Sequence, residues 1–137
     1  MAILTLNNPR SSLINMNKFY AIRGATTIAS NTSREIEKAS IELIREITAQ
    51  NLLGKSDLVS LICSITSDIT SENPVKCMRQ SNILGDTPVF CVQEANIDNS
   101  LRLCIRVMLH VQTSSQNFAP QHIYLHDAKN LRPDLTR

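Results

Sequence analysis

The stretch that decides the fold reads LRLCIRVMLHVQ and covers residues 101–112. Every second residue from Leu101 to Val111 is aliphatic, whereas the residues between them are mixed in character. An alternation with a period of two is typical of a β-strand that buries one face. Arg106 falls in the middle of the other face, and an arginine buried there without an anionic partner would be costly. We therefore predict a long strand that presents an arginine on its second face.

The segments on either side of this stretch show strand patterns in shorter form. They lie at residues 19–28, 57–66, 87–93 and 122–125. Together with two helical patterns they give the order β-α-β-α-β-β-β, which predicts an α+β domain with a mixed β-sheet and its helices on one face. The other face then needs cover, and its mixed side chains favour burial against another copy in a closed homo-oligomer.

Both predicted helices carry clear start signals. Thr32 stands three residues before Glu35, which is the spacing of a capping box, and a helical periodicity continues from there to about residue 51. Pro74 suits the first position of a second, short helix, and Asn73 suits its N-cap. The first helix carries no residue that suggests chemistry.

The length of 137 residues fits one domain, which we predict to cover residues 18–137. Residues 1–17 contain no acidic residue and are rich in Asn and Ser, so we predict a poorly ordered extension there. An organelle transit segment, as in a plastid protein, is the alternative for these residues. Nothing resembles a secretory leader, and we expect a cytoplasmic protein with reduced thiols.

Charge, hydropathy and cysteine spacing disfavour three classes of function. The formal charge of +2 is too balanced for a nucleic-acid binder, and no basic stripe is interleaved with aromatic residues. No apolar run approaches the roughly 20 residues of a membrane span. The four cysteines lack the paired spacing of a zinc site. We therefore expect no metal, no nucleic acid and no membrane as a partner.

A search for a nucleophile finds little. No nucleophile-elbow motif is present, and the three histidines (His110, His122 and His126) are interpreted as surface or satisfied residues. Cys91 lies three residues from Glu94, but a nearby carboxylate would raise the pKa of the thiol. The two residues could instead bind a ligand hydroxyl. Because they face opposite sides of a straight strand, a site shared by both requires a bulge or bend after Cys91.

Arginines are the strongest candidates for binding. Arg23 and Arg106 both fall in predicted strands, and a guanidinium matches the geometry of a carboxylate. The pair suggests a site that holds a small molecule with more than one negative charge. Periodicity alone does not bring the remaining polar candidates to this site. They are Lys76, Arg79, Tyr124 and Arg132.

Six motifs carry a resemblance to a known family. They are IRGATT (22–27), PVK (74–76) with Arg79, CVQE (91–94), CIRVM (104–108) with VQT (111–113), YL (124–125) and LRPDL (131–135). Their order and separations match along residues 19–135. On these motifs the chain resembles the trimeric mixed α/β class of monofunctional chorismate mutases.

The resemblance implies a homotrimer around a barrel-like core, similar in fold to the imine-deaminase trimers, with three active sites at the interfaces between subunits. The implied reaction is the Claisen rearrangement of chorismate to prephenate in aromatic amino-acid biosynthesis. This reaction requires no metal, no cofactor and no covalent intermediate, which agrees with the missing nucleophile motif.

The resemblance also implies roles for individual residues. Arg106 would donate to the ether oxygen and to a carboxylate of the substrate, and Glu94 would orient Arg106. Arg23 and Tyr124 would hold the side-chain carboxylate, while Glu94 and Cys91 would bind the ring hydroxyl. The further substrate-binding positions that it implies are Asn73, Val75, Lys76, Arg79, Leu131 and Arg132.

Two departures from the family pattern bear on the site. Asn73 stands where the family often has an aromatic residue that walls the pocket, so we expect a more open wall there. Few residues follow Leu135, and closure of the site by a C-terminal tail stays an open question. Two other functions also stay open at this point: an imine-deaminase-like trimer and a catalytically silent ligand-binding module of the same fold.

Overall fold

The structure is a computed structural model that describes residues 16–134. Its strands are β1 (Lys18–Thr27), β2 (Leu58–Ile65), β3 (Val89–Gln93), β4 (Cys104–Thr113) and β5 (Ile123–Tyr124). Its α-helices are α1 (Ser33–Gln50) and α2 (Pro74–Gln80), and short 3-10 turns cover Lys55–Asp57 and His126–Asn130. The predicted extension at residues 1–17 lies outside the described residues, apart from its last two positions.

The five strands form one mixed sheet in the order β3-β2-β4-β1-β5. The central strand β4 runs antiparallel to both of its neighbours, β1 and β2. Each edge strand runs parallel to the strand beside it, β3 to β2 and β5 to β1. The predicted α+β class with a mixed sheet is therefore confirmed.

Both helices pack on the same face of the sheet and build one core with it. Large aliphatic side chains such as Ile22, Ile105 and Leu109 meet Leu43 of α1 and Met78 of α2, and all five are fully buried. Burying one such side chain stabilises a fold by about 1.5–3 kcal/mol. The opposite face of the sheet has no α-helix over it within residues 16–134, and the 3-10 turn His126–Asn130 packs on its edge through Ala128 and Ala25. We call this second side the open face.

Gly24 allows α1 to approach β1 closely. A Cβ atom at this position would lie 2.5 Å from Ile47 Cδ1 and 3.0 Å from Val107 Cγ2. The first distance is shorter than packed carbon atoms tolerate, so a larger residue would force the Ile47 side chain to move. The glycine thus leaves room for Ile47 over the strand that carries Arg23.

The helix start signals predicted from the sequence are confirmed. Thr32 Oγ1 accepts a hydrogen bond from the Glu35 N–H at 3.2 Å, which caps α1. Asn73 Oδ1 accepts from the Val75 N–H at 2.9 Å, and Pro74 occupies the first position of α2. These bonds satisfy backbone N–H groups that a helix start leaves free.

The predicted start of the long strand is wrong by three residues, because β4 begins at Cys104 and not at Leu101. Leu103 adopts a left-handed backbone conformation, with φ of 48°. Its N–H donates to both carboxylate oxygens of Asp68, at 3.2 and 3.0 Å, and the Cys104 N–H donates to Thr66 Oγ1 at 2.9 Å. These side chains replace strand pairing at this end of the sheet.

None of the helices between residues 16 and 134 combines the length and the apolar composition that a membrane crossing requires.

Candidate active site

The open face carries the arginine that the alternation placed there. Arg106 lies on β4 in register with Ala25 of β1 and with Ser64 of β2. Arg23 lies opposite Met108, two residues further along β4. Since two residues on a strand span less than 7 Å, both guanidiniums reach the same region of the open face. The regular pairing of three neighbouring strands holds their backbones in place.

Glu94 is the carboxylate beside Arg106. The Nε atom of Arg106 lies 3.6 Å from Glu94 Oε1, which is an ion-pair distance but too long for a hydrogen bond. Ser64 Oγ lies 3.2 Å from each carboxylate oxygen and donates to them, and the Glu94 N–H donates to Ile65 O at 2.8 Å. The Glu94 carboxylate is therefore held in place from its main chain and from its oxygens.

The guanidinium of Arg106 keeps donor capacity for a further partner. Its Nε atom is buried and has no hydrogen-bond partner within residues 16–134, while 42% of the side chain is exposed. This buried atom lies beside Glu94, so the exposed part of the Arg106 side chain is the part that a ligand can reach. Arg106 is thus positioned by Glu94 without being saturated by it.

A cavity of about 290 Å³ lies over this part of the open face. Three arginines line it, namely Arg23, Arg106 and Arg132, together with Tyr124 and Leu131. Arg132 forms a two-point ion pair with Asp134, with distances of 3.0 and 2.7 Å. A concentration of guanidiniums in one cavity favours a small molecule with several carboxylates.

The short strand β5 brings Tyr124 to this cavity. Tyr124 is in register with Ala25 of β1, and the Leu125 N–H donates to Ala25 O at 2.9 Å. Its ring packs in a small buried cluster with Ala25 and Ala128. The phenol is therefore supplied by the edge strand beside the one that carries Arg23.

The sequence interpretation missed His122. Its Nδ1 atom accepts a hydrogen bond from the Arg23 N–H at 2.9 Å. Burial lowers the pKa of this imidazole, and the nearby charges of Arg23 and Arg132 lower it further. A signal was available, since residues two apart on a strand share a face and His122 precedes Tyr124 by two.

Comparison with known proteins identifies the family of this chain. The family model of chorismate mutase type I matches residues 19–135, which is most of the chain. The chain belongs to the chorismate mutase type I family. The resemblance predicted from the six motifs is confirmed, and this chain is a chorismate mutase.

Individual relatives agree with the family match. This chorismate mutase is 36% identical over 115 residues to chorismate mutase AroH of Bacillus subtilis (strain 168), covering 84% of this chain and 91% of that protein. It is 32% identical over 115 residues to chorismate mutase AroH of Thermus thermophilus, covering 83% and 93% of the two chains. The solved chorismate mutase from Clostridium thermocellum superposes with a TM-score of 0.76 at 36% identity, covering 81% of this chain and 98% of that one.

Four of the predicted substrate-binding residues of this chorismate mutase lie away from the arginine cavity. Asn73, Val75, Lys76 and Arg79 belong to α2 or its cap, on the helical side of the sheet, and none of them lines the cavity. The helix contacts α1 and the edge strand β3, whereas Tyr124 lies on β5 at the opposite edge. Within one chain these residues and the arginine cavity are therefore separate.

The residues of α2 have ordinary structural surroundings in the single chain. Val75 is 3% exposed and contributes its side chain to the core. Lys76 Nζ lies 3.6 Å from Glu72 Oε2, and its side chain is about half exposed. Arg79 is exposed on the last turn of the helix. Roles in substrate binding remain predictions for all of them.

Cys91 also faces away from the cavity in this chorismate mutase. It lies in register with Cys63 of β2, on the core side, whereas Glu94 lies on the open face beside Ser64. The β2–β3 pairing has no register shift, so the bend that a shared site in one chain would need is absent. Cys91 and Glu94 of one chain do not meet on one face.

The thiols of Cys63 and Cys91 nevertheless influence each other. The hydrogen bond with Cys63 lowers the pKa of Cys91 to about 7, although burial opposes the shift. The same contact raises the pKa of Cys63, which lies deeper in the core. Cys91 is therefore the partly accessible and more acidic thiol of the pair.

The backbone of Cys91 points in a different direction from its thiol. Within residues 16–134, strand β3 pairs only with β2. The Leu61 N–H donates to Pro88 O and the Glu94 N–H donates to Ile65 O, so the backbone groups of the even-numbered residues point toward β2. Because the direction alternates along a strand, the N–H and C=O of Cys91 point to the free edge. A molecule at that edge could bind the main chain of Cys91.

Proposed function

We propose that this protein converts chorismate to prephenate in aromatic amino-acid biosynthesis. It does so by holding chorismate in its reactive shape and by stabilising the ether oxygen as the C–O bond breaks. The observation that carries this proposal is Arg106. Its guanidinium sits on a rigid strand in a cavity with two further arginines, and its buried Nε has no hydrogen-bond partner among residues 16–134.

The chemistry of the rearrangement fits a site built from charge and position. One C–O bond breaks and one C–C bond forms within a single molecule, and no proton or electron is exchanged with the protein. Negative charge grows on the ether oxygen in the transition state. A preorganised donor at such an oxygen lowers the barrier by roughly 3–4 kcal/mol. Holding the reactive conformer contributes further to the rate.

The open-face residues divide these tasks in the proposed mechanism. Arg106 donates to the ether oxygen and to one carboxylate of the substrate. Arg23 and Tyr124 hold the side-chain carboxylate, and Arg132 adds attraction for the dianion. Glu94 orients Arg106 and accepts from the ring hydroxyl. The bonds from Ser64 support this role, because they fix the Glu94 carboxylate before the substrate arrives.

A homotrimer would complete this site. The predicted residues occupy two different surfaces of one chain, and a contact between unlike surfaces closes into a ring when copies are related by rotation. In such a ring the α2–β3 edge of one copy covers the open-face cavity of the next. Asn73, Lys76 and Arg79 would then reach the substrate, and the main chain of Cys91 would bind its hydroxyl.

Exposed apolar side chains support an interface on the open face. Phe90 of β3 is 66% exposed and lies in register with Ile62 of β2, which is 43% exposed. Val92 is also exposed on the same side. Grouped apolar side chains beside a polar cavity are typical of surfaces that a partner covers.

Two measurements test the proposal. When purified protein is mixed with chorismate, the ultraviolet absorbance of chorismate should fall as prephenate forms. Sedimentation of the protein should give the mass of three chains. Binding of chorismate without conversion would favour a silent ligand-binding module. A monomer that retained full activity would contradict active sites shared between subunits.

A further inference from the structure

His122 occupies a gap in the backbone pairing between β1 and β5. Strand β5 has only two residues, and its ladder pairs Gly24 with Ile123 and Ala25 with Tyr124. In a parallel ladder that continued by one step, the Arg23 N–H would donate to the carbonyl of residue 121. It donates instead to Nδ1 of the His122 imidazole, at 2.9 Å.

The carbonyl of residue 121 is already bound elsewhere. Asn51, the C-cap of α1, donates from Nδ2 to Gln121 O at 3.0 Å and accepts at Oδ1 from the Gln121 N–H at 2.7 Å. Asn51 is buried, so these two bonds are shielded from water. The helix thus holds residue 121 away from β1, and the imidazole supplies the acceptor that the strand lost.

This bond defines the protonation state of His122. A backbone N–H can only donate, so Nδ1 must be unprotonated and the ring must be neutral, with its proton on Nε2. The charged and titratable groups around the ring are Arg23 on β1, Arg132 of the C-terminal segment with its partner Asp134, and Tyr124 on its own strand. Burial and the two guanidiniums keep the imidazole neutral by lowering its pKa.

We propose that neutral His122 is a positioning residue for Arg23 and Tyr124, the pair assigned above to the side-chain carboxylate. The substrate role in this inference rests on the proposed function. His122 fixes the main chain of Arg23 through Nδ1, and its own main chain leads directly into Tyr124. Protonation removes the acceptor, frees the Arg23 N–H and loosens the end of β5.

The kinetic consequence is a rise in KM at acid pH. Arg23 and Tyr124 hold a carboxylate that is present in both the ground state and the transition state, so their misplacement weakens binding more than turnover. The pKa of His122 lies below the ordinary value of 6.5, so KM should rise as the pH falls below that value. A simple attraction of the substrate by protonated His122 would lower KM instead and would overturn the proposal.

Two substitutions separate positioning from general structural damage. His122→Ala should raise KM about tenfold and change kcat less than about threefold, because one partly shielded acceptor is lost. His122→Asn keeps a side-chain carbonyl that can accept and does not titrate. At neutral pH the KM of this variant should therefore be close to that of the wild type. Its plot of KM against pH should lack the part of the rise at acid pH (the acid limb) that comes from protonation of His122.

His126 offers a matched control. Its Nε2 lies 2.9 Å from Glu42 Oε1 on the exposed surface, outside the cavity, and its φ of 53° is a conformation that asparagine tolerates. His126→Asn should leave KM and the acid limb unchanged. An unchanged KM in His122→Ala, or an acid limb that persists in both His122 variants, would refute the positioning role.

A measurement without substrate keeps this inference separate from the proposed function. Nitrogen NMR of the imidazole should show an unprotonated Nδ1 and a titration below pH 6.5. Hydrogen exchange at the Arg23 amide should be faster in His122→Ala than in the wild type. A protonated Nδ1 at neutral pH, or unchanged exchange, overturns the role of His122 even if chorismate is converted. Correct NMR and exchange results with no conversion would instead refute the proposed function.

Discussion

Two regions of this chorismate mutase carry the predicted site residues, and they differ in how complete they are. In the open-face cluster, Arg23, Arg106 and Tyr124 lie on paired strands around a cavity, and Glu94 follows the end of β3 beside Arg106. The Nε atom of Arg106 has no hydrogen-bond partner within residues 16–134. The α2–β3 edge holds Asn73, Val75, Lys76, Arg79 and Cys91. The side chain of Asn73 caps α2, those of Val75 and Cys91 pack against the core, Lys76 pairs with Glu72, and Arg79 faces solvent.

In the proposed homotrimer, one chain would hold half of a site. The open-face cluster is arranged for an anion before any partner arrives, which is the property expected of groups that stabilise a transition state. The α2–β3 edge shows no such preparation in isolation, and under the proposal it would contribute to a site only when it meets another copy. Rate should therefore depend mainly on the first region, and assembly should determine the contribution of the second.

The largest effect should come from the centre of the open-face cluster. Arg106→Gln should lower kcat at least a hundredfold, about 3 kcal/mol, because the lost donor acts mainly in the transition state. The variant should fold normally, as judged by circular dichroism, since its neighbours on β4 are unchanged. Arg102→Gln is the matched control, because Arg102 is 86% exposed and lies 3.7 Å from Asp68 outside the cavity. Retained turnover in Arg106→Gln would remove the basis of the mechanism.

The second effect concerns the thiol at the α2–β3 edge. Cys91 should be alkylated faster than the other cysteines, because its pKa is about 7, whereas burial raises the pKa of Cys104 to about 11 and also raises that of Cys77. Its reaction with iodoacetamide should accelerate about tenfold from about pH 6 to about pH 8, as the thiolate fraction rises. Mass spectrometry of the labelled peptides measures this. Slower labelling in the presence of chorismate would place Cys91 beside the site, whereas faster labelling of Cys104 would contradict the assigned acidity.

The third prediction tests whether the open-face cluster and the α2–β3 edge of one site come from different copies of the chain. Arg79→Gln should lower kcat/KM about tenfold through weaker binding of the dianion. If the two regions of a site come from different copies, co-refolding Arg79→Gln with Arg106→Gln should leave about a quarter of the sites intact. Activity at low substrate should then be about fivefold above the mean of the separate variants. Activity equal to that mean, with mixed trimers confirmed by native mass spectrometry, would show that both residues serve a site within one chain.

The smallest effect should come from the cap of α2. Asn73→Ala should lower the free energy of unfolding by about 1 kcal/mol, because the Val75 N–H loses its acceptor. Asn73→Ser keeps a capping oxygen and serves as the control. Denaturant unfolding measures the stability of both variants. Equal stability of the two variants would show that the cap is not needed, and any difference in KM between them would then report contact with substrate.

Local patterns predicted a large part of the fold because local contacts produce it. The capping residues Thr32 and Asn73, and the face on which Arg106 lies, all follow from spacing along the chain. The start of β4 could not be found in this way. It depends on Asp68, whose carboxylate binds the Leu103 N–H from a distant loop. Hydrogen bonds from Thr66 and Leu103 lower the pKa of Asp68 although burial opposes the shift, so this contact weakens as the pH falls through that lowered value.

The site was only partly predictable for the same reason. The motifs that resemble the chorismate mutase family predicted Arg23, Arg106 and Glu94 as site residues, and the structure brings these residues to the open face of the sheet. Alternation along a straight strand predicted opposite faces for Cys91 and Glu94, and the structure places the Cys91 thiol on the core side. His122 was interpreted as a surface or satisfied histidine, and its partner was not predicted because Arg23 lies 99 residues away in the chain.

The amino-acid sequence by itself determined the class of fold, the faces of the strands, the caps of the helices and the family. These properties follow from periodicity, from backbone donors near each helix start and from motifs of fixed spacing. Only the tertiary structure decided which charges share a cavity, which thiol faces the core and which acceptor completes the β1–β5 edge. Those outcomes depend on contacts between segments that are far apart in the chain, and such contacts are set by the packing of the whole sheet against its helices.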